Sequence, residues 1–340
     1  MKLLVLSESA NHVSCRYRVQ AFEPALRRAG WDMTVRPLSG ERVHFFTILR
    51  EAARSDVVLI QRRLLAPARL RLLRHFARRL IYDVDDALFL RDSNSPRPAE
   101  SWQRRNRFRL VVSLCDAVIA GNDYLENCAR RWSRHGCVVR IPTCIDPDAT
   151  APAADQGRTS GLRLAWIGSA STLPSLNEIA PALSRASDEI PGLELHVICD
   201  QAAELPGVNI VFRHWSPETE ASDLADCDVG ISWLPDHPWS RGKCGLKVLQ
   251  YMAAGLPVIV NAFGIHRQIV GDGVHGLVVN HPGDVSAALL RLAAAPDLRR
   301  QMGMAGRARV AGEFSVQQWS GVFVDVLGSA AGRAVSRQAS

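Results

Sequence analysis

The chain has 340 residues, 47% hydrophobic and 22% charged, an ordinary globular balance that excludes wholesale disorder and predicts roughly two domains at about 150 residues each. No apolar run approaches the ~18 residues needed to span a bilayer. The net charge of +7 is uneven: residues 1–150 carry +10 and residues 151–340 carry −3, so the first half suits an anionic partner such as nucleic acid, a membrane surface or a phosphorylated substrate.

Residues 1–6 turn polar at Ser7-Glu8-Ser9. That apolar core is shorter than an export signal requires, so a strand and a cytoplasmic protein are expected. The eight cysteines form no C-x-x-C pair, which argues for reduced thiols rather than structural zinc or a disulfide framework. Strands are predicted at 3–6, 57–61, 80–84, within 111–120, and at 138–141. Helices are predicted at 21–29, ended by Gly30, and at 64–80. Short apolar strands separated by helices indicate a parallel sheet covered on both faces. Residues 151–161 are small, polar and Pro/Gly-bearing and read as a linker. The pattern then restarts, with strands at 162–167, 195–198, 208–212, 229–233, 257–260 and 276–279. The expected organisation is an N-terminal domain 1–150, a linker 151–161, a second domain 162–312, a last helix within 313–328 and a frayed tail 329–340. Both domains are α/β and doubly wound. Their ligand sites are expected at the carboxyl ends of the strands, in a cleft if those edges face each other.

Of 41 basic residues, 38 are Arg and three are Lys, and two of those lysines, Lys243 and Lys247, stand four residues apart. Arg241-Gly242-Lys243-Cys244-Gly245 reads as a loop opening a helix that runs to Ala254 and stops at Gly255. A helix start presents N–H groups and a positive dipole end, which suits phosphate. Lys243 and Lys247 are expected on one face of that helix, one turn apart, with Gln250 further along it and Leu246, Leu249 and Ala253 turned inward. Two point charges would hold a diphosphate, and the amide would bind hydroxyls. A solvent-facing helix with two lysines is the alternative, and the rarity of lysine weighs against it. The next strand ends at Asn261-Ala-Phe-Gly264, a second loop at the ligand edge.

In the first domain Tyr82-Asp83-Val84-Asp85-Asp86 ends an apolar strand. Three carboxylates are costly together unless cations or hydroxyls meet them. Alternation places Asp83 and Asp85 on one side. Three readings compete: an Asp-x-Asp metal site, a structural cluster paired with Arg16, Arg18 or Arg62, and a catalytic group in which Asp85 or Asp86 contacts substrate hydroxyls. Arg16 and Arg18 come after the loop 7–14 and are candidates for an anionic acceptor or a phosphate, with plain surface arginines as the alternative. His12 in that loop is a weaker candidate.

The run Gly-Leu-Lys-Val-Leu-Gln-Tyr-Met-Ala-Ala-Gly-Leu-Pro-Val-Ile, residues 245–259, resembles the donor-binding segment of retaining GT-B glycosyltransferases of family 4 (glycosyl transferases group 1). Cys15-Arg16-Tyr17-Arg18-Val19, Tyr82 to Phe89, Gly121-Asn122-Asp123-Tyr124-Leu125, Ile141-Pro142-Thr143 and Trp166-Ile167-Gly168-Ser169 resemble runs of one branch of that family, so the likeness covers roughly residues 1–327. It implies two Rossmann-like domains facing across a cleft, acceptor on the first and nucleotide sugar on the second, with a last helix at 314–327 crossing back. It implies donor contacts from Gly168, Ser169, Lys243, Lys247, Gln250, Gly245, Leu246 and Gly264. It places Asp85 where many relatives carry a sugar-contacting His and Asp86 where they carry an Asp; Asp83 completes the catalytic candidates. The Asp-x-Asp metal site belongs to the other large glycosyltransferase fold, so no metal and no cofactor are expected.

The sequence departs from the family pattern at two glutamates, replaced by Gly242 and Gln250, and at a missing Arg and Lys after strand 162–167. The expected activity is metal-independent transfer of a sugar from a nucleoside-diphosphate sugar, with retention, to a sugar, lipid-linked or small-molecule acceptor. A degenerate binding module and a nucleotide-sugar epimerase on the same plan are the alternatives. A nucleic-acid partner does not fit a phosphate-type loop in the acidic half. Glu218 and Glu220 read as a solvated helix face, and Trp215 and Trp239 as packing residues or base-stacking candidates. Residues 66–80 form a basic amphipathic helix, with Leu65, Leu72, Leu73, Phe76 and Leu80 on one face. It suits peripheral contact with an anionic membrane, against the plainer reading of a helix packed on the sheet.

Overall fold

The computed structural model describes residues 1–9, 11–38, 42–150 and 161–332, without the side chains of 42 and 43. The expected linker thus lies outside the described residues apart from Gly161, as does the tail from 333. The chain divides into two compact units.

The first unit comprises Met1–Cys144, His237–Cys244 and the chain from Val316. Its elements are β1 (Lys2–Ser7), α1 (Val13–Arg18), α2 (Glu23–Arg28), β2 (Asp32–Pro37), α3 (Arg42–Arg54), β3 (Val57–Gln61), α4 (Pro67–Phe76), β4 (Leu80–Val84), α5 (Trp102–Leu114), β5 (Ala117–Ala120), α6 (Asp123–Arg130) and β6 (Val138–Arg140). The six strands form one parallel sheet in the order β2-β1-β3-β4-β5-β6. β3, β4 and β5 are buried along their whole length, which is why their Val/Ile/Leu runs do not alternate with polar residues. Within β1, Leu4 and Leu6 join the core under α3 and α4, while Leu3 and Val5 join the core on the opposite face.

The second unit comprises Ile145–Asp236 and Gly245–Ser315. It contains β7 (Leu162–Ile167), α7 (Pro174–Asn177), α8 (Ala180–Glu189), β8 (Leu193–Cys199), β9 (Ile210–His214), α9 (Glu220–Ala225), β10 (Val229–Ser232), α10 (Leu246–Ala253), β11 (Val258–Asn261), α11 (His266–Ile269), β12 (Gly276–Val279), α12 (Asp284–Ala294) and α13 (Pro296–Glu313). Its parallel sheet runs β12-β11-β10-β7-β8-β9, the doubly wound order whose reversal lies between β7 and β10. The last helix, α14 (Val316–Ala330), returns to the first unit, where Phe323 stacks on Phe22 with ring centroids 4.5 Å apart.

Two stretches depart from the expected organisation. The division falls at Ile145, not after residue 150, because Ile145 N–H donates to Phe314 O and Arg307 donates to the carbonyls of Pro147 and Thr150. His237–Cys244, expected in the second domain, groups with the first unit. β2 and α3 have no counterpart in the sequence reading. β2 is an edge strand whose Asp, Thr, Arg and Pro leave no continuous apolar run. Among the described residues no helix is long and apolar enough to cross a membrane, and all eight cysteines are free thiols.

Candidate functional site

In the first unit the sheet order reverses between β1 and β3, so the ligand edge is built by the segments that leave the carboxyl ends of β1, β3 and β4. The residue after β3 is Arg62, the one described non-glycine residue with positive φ, at 54°. This costly left-handed conformation is held from several sides. Its N–H donates to Asp83 O at 2.9 Å, and its guanidinium donates to Ser14 Oγ at 2.8 Å and to Asp86 Oδ2. Its Nε lies 3.6 Å from Asp85 Oδ1.

The three carboxylates after and within β4 have different surroundings. Asp83 is fully buried, and both its oxygens accept from Arg18, at 2.5 and 3.3 Å. Arg18 is itself buried and also donates to Ile141 O at 2.6 Å. Burial pushes the Asp83 carboxyl up while Arg18 pulls it back, leaving it above its ordinary value. Asp83 and Arg18 thus engage each other inside the unit. Asp86 lies between two cations, Arg62 and Lys243, whose Nζ is 3.2 Å from Oδ1. At Asp85 burial acts to raise the pKa, but Arg62, Arg18, the Ser14 hydroxyl and Lys243 outweigh it and hold the carboxyl below its ordinary value. Asp85 Oδ1 makes no hydrogen bond. Asp86 Oδ1 likewise makes no hydrogen bond, though Lys243 pairs with it as Arg62 pairs with Asp85 Oδ1.

The Arg16 guanidinium donates to Tyr17 OH and lies over that ring. His12 caps α1, its Nδ1 accepting from Ser14 N–H at 3.2 Å, and burial followed by the Arg62 charge lowers its pKa.

Lys243 reaches Asp86 because 237–244 belongs to this unit. Asn122, the cap of α6, also donates to Arg241 O at 3.2 Å and to Lys243 O at 2.9 Å. Cys244 Sγ lies 3.2 Å from Asp85 O. A Cβ at Gly242 would sit 2.3 Å from the backbone N of Ala87, so a side chain at 242 has no room. This is the physical reason for the glycine where the family resemblance has a glutamate. The expectation that Lys243 shares a helix face with Lys247 is overturned. α10 begins only at Leu246, after Gly245 at φ +72°, and Lys243 precedes that break.

In the second unit the reversal between β7 and β10 places Gly168, Ser169 and the start of α10 at the ligand edge. Lys247 Nζ donates to Thr172 Oγ1 at 3.0 Å and stands 3.9 Å from the centroid of the buried Trp166 ring. A Cβ at Gly168 would meet Lys247 Nζ, Thr172 Oγ1 and Trp166 at 2.6 Å each, so only glycine leaves room for the ammonium. Thr172 and Ser169 form a reciprocal cap. Asp200, at the end of β8, accepts from Ala170 N–H at 2.7 Å. Gln250 is buried on α10 and Leu246 is half-buried. Gly264 lies in the loop after β11 at φ +55°.

Behind that loop lies a group the sequence reading missed. His266 is buried, with Nε2 3.2 Å from Ser232 Oγ and Nδ1 3.1 Å from Asn261 Oδ1. Asn261 in turn exchanges hydrogen bonds with the backbone of Leu234. Burial drives the imidazole pKa down to about 4, keeping it neutral. One other reading changes, and the packing alternative for Trp239 holds. Glu220 is buried and accepts from Trp215 Nε1 at 2.8 Å rather than facing solvent. Trp239 is a core residue. Among the described residues no group of three or more His, Cys, Asp or Glu side chains is arranged to hold a metal.

Residues 163–295 match the family model described as Glycosyl transferases group 1. A D-inositol 3-phosphate glycosyltransferase from Geodermatophilus obscurus is 34% identical over 129 residues, which cover 36% of this chain and 27% of that protein. The chain thus matches about a quarter of that relative's length. Among solved structures, sucrose-phosphate synthase from Thermosynechococcus elongatus superposes with a TM-score of 0.71 at 18% identity, over 97% of this chain and 100% of that one. Anabaena HepE in complex with UDP and glucose gives 0.73 at 14% identity, with the same coverage. The fold is α/β and GT-B, with two Rossmann-like units.

Proposed function

We propose that this chain is a glycosyltransferase that moves a sugar from a nucleoside-diphosphate sugar to an acceptor hydroxyl, with retention and without a metal. The observation that carries the reading is Lys247 Nζ, held by Thr172 and the Trp166 ring over the side-chain-free Gly168, at the start of α10. A point charge beside a helix start, at the reversal of a doubly wound sheet, suits a diphosphate. The neighbour bound to UDP and glucose supports that donor class, and the relative named as a D-inositol 3-phosphate glycosyltransferase supports glycosyl transfer.

Transfer leaves negative charge on the departing diphosphate and positive charge on the anomeric carbon. Lys247 and the α10 N–H groups oppose the first. Asp85, whose burial is outweighed by Arg62 and its other neighbours so that its carboxyl sits below the ordinary pKa, suits the second and can orient the acceptor hydroxyl, whether sugar, lipid-linked or small-molecule. Asp83 and Asp86 already face arginine or lysine, which favours this reading over a metal-bridged diphosphate. The free thiols fit a cytoplasmic setting.

Thermal-shift binding of UDP, GDP, dTDP and ADP with EDTA, beside a panel of their sugars, tests the proposal. Stabilisation by one diphosphate without metal is the expected result. No stabilisation by any of them overturns the donor reading and leaves a degenerate binding module.

A further inference from the structure

We infer that the seam between α3 and α4 is a docking surface for an anionic phospholipid bilayer. This surface is separate from the ligand edges, and the inference does not depend on the donor reading. The buried stripe of α4 is Leu70, Leu73 and Ala77, which leaves Leu72 at 39% and Phe76 at 40% exposure. The single apolar face expected from the sequence is thus split, with Leu65, Leu73 and Leu80 buried and Leu72 and Phe76 exposed. On α3 the buried stripe is Phe45, Ile48, Leu49 and Ala52, and Phe46 is 62% exposed.

These three residues line one seam. Arg69 on α4 lies over the Phe45 ring of α3, which fixes the side on which the helices meet. At 100° per residue, Leu72 and Phe76 fall on that same side of α4, turned outward. On α3 the Glu51 carboxylate pairs with Arg36 of β2, so the opposite flank, where Phe46 falls, is the one toward α4. With a rise of ~1.5 Å per residue the apolar strip runs about 10 Å along the seam.

Charge complementarity selects the occupant. Residues 42–79 contain ten arginines and two acids, Glu51 and Asp56. Both acids are already paired, Glu51 with Arg36 and Asp56 with Arg78. Arg50, Arg69 and Arg71 stand exposed beside the strip. Apolar side chains within a cationic face match the boundary between anionic headgroups and acyl chains, where the rings insert and the guanidiniums meet phosphate.

The test is cosedimentation of the full chain with vesicles of phosphatidylcholine alone and of phosphatidylcholine mixed with phosphatidylglycerol. Binding to the mixed vesicles alone, weakened by salt, is expected. The combined variant Phe46→Ser, Leu72→Ser, Phe76→Ser should lose binding by about tenfold or more. Arg50→Gln with Arg71→Gln should weaken it on the anionic vesicles. Trp102→Ser, at a residue 80% exposed outside the seam, should bind as the unaltered chain does. Equal binding to both lipids, binding unchanged in the triple variant, or a dimer by light scattering that the triple variant dissolves would each overturn the inference. The readout is lipid-bound protein, so it moves independently of nucleoside-diphosphate stabilisation.

Discussion

Lys243 Nζ lies 3.2 Å from Asp86 Oδ1, which ties the residue three before α10 to the carboxylates of the first sheet. Lys247, four residues later, instead stands with Thr172 and Trp166 in the second unit. Two lysines that look equivalent in sequence therefore have different work. Lys247→Ala should weaken nucleoside-diphosphate binding more than about tenfold, ~1.4 kcal/mol, and Lys243→Ala should weaken it less. Titration calorimetry of both variants against the diphosphate that stabilises the chain checks the order; the reverse order would move the cradle to Lys243.

Asp85→Asn keeps the shape and removes the charge. It should lower transfer by about a hundredfold or more while diphosphate affinity stays close to that of the unaltered chain. Initial rates and calorimetry on the same preparation separate the two effects. A variant with full activity would remove Asp85 from the mechanism.

The Asp83–Arg18 pair is a stability feature. Removing one partner leaves the other buried and uncompensated, at a cost of about 3–5 kcal/mol. Asp83→Asn and Arg18→Met should each shift the urea midpoint downward, and the double variant should cost less than the sum of the two. Additive losses would show that the pair is not coupled.

Gly242→Glu restores the residue type of the family resemblance, yet it should not improve activity. Its Cβ would meet the Ala87 backbone at 2.3 Å. Even Gly242→Ala should cost about 1–3 kcal/mol, visible as a lower melting temperature. A glutamate variant that melts normally and works faster would show that the 237–244 segment relocates easily.

His266 supplies a pH signature. Its folded pKa of about 4 lies below the ordinary 6.5, so the fold favours the neutral ring. The corresponding stability is fully present above about pH 6.5 and is lost as pH falls toward about 4, by about 3 kcal/mol in all. His266→Gln should flatten that part of the profile. Denaturant titrations across this range measure it, and an unchanged slope would assign the acid sensitivity to other groups.

Much of the architecture is legible because buried parallel strands announce themselves as short apolar runs; the 276–279 strand is read from Gly-Leu-Val-Val alone. β2 escapes because an edge strand need not be apolar. The carboxylate cluster is visible as a costly clustering of charge, and the suggested partners Arg18 and Arg62 do pair with it. The helix start at Lys243 misleads because glycine-bearing loops and first turns look alike until the left-handed Gly245 is seen. The exclusion of a side chain at 242 depends on Ala87, a contact across 155 positions that local patterning does not encode. His266 is hidden for the same reason, since Ser232 and Asn261 meet it only once β10 and β11 pair.

The return of 237–244 and of α14 to the first unit makes the two units inseparable by a single cut. A fragment ending near residue 144 would contain six strands yet lack Phe323 against Phe22, Cys244 beside Gly121 and Lys243 beside Asp86. One unit's core would be open on the α14 face, and its carboxylates would lose a counter-charge. During synthesis the first unit reaches its final packing only after the second has been made, so the N-terminal half waits on the last helix to close its own core.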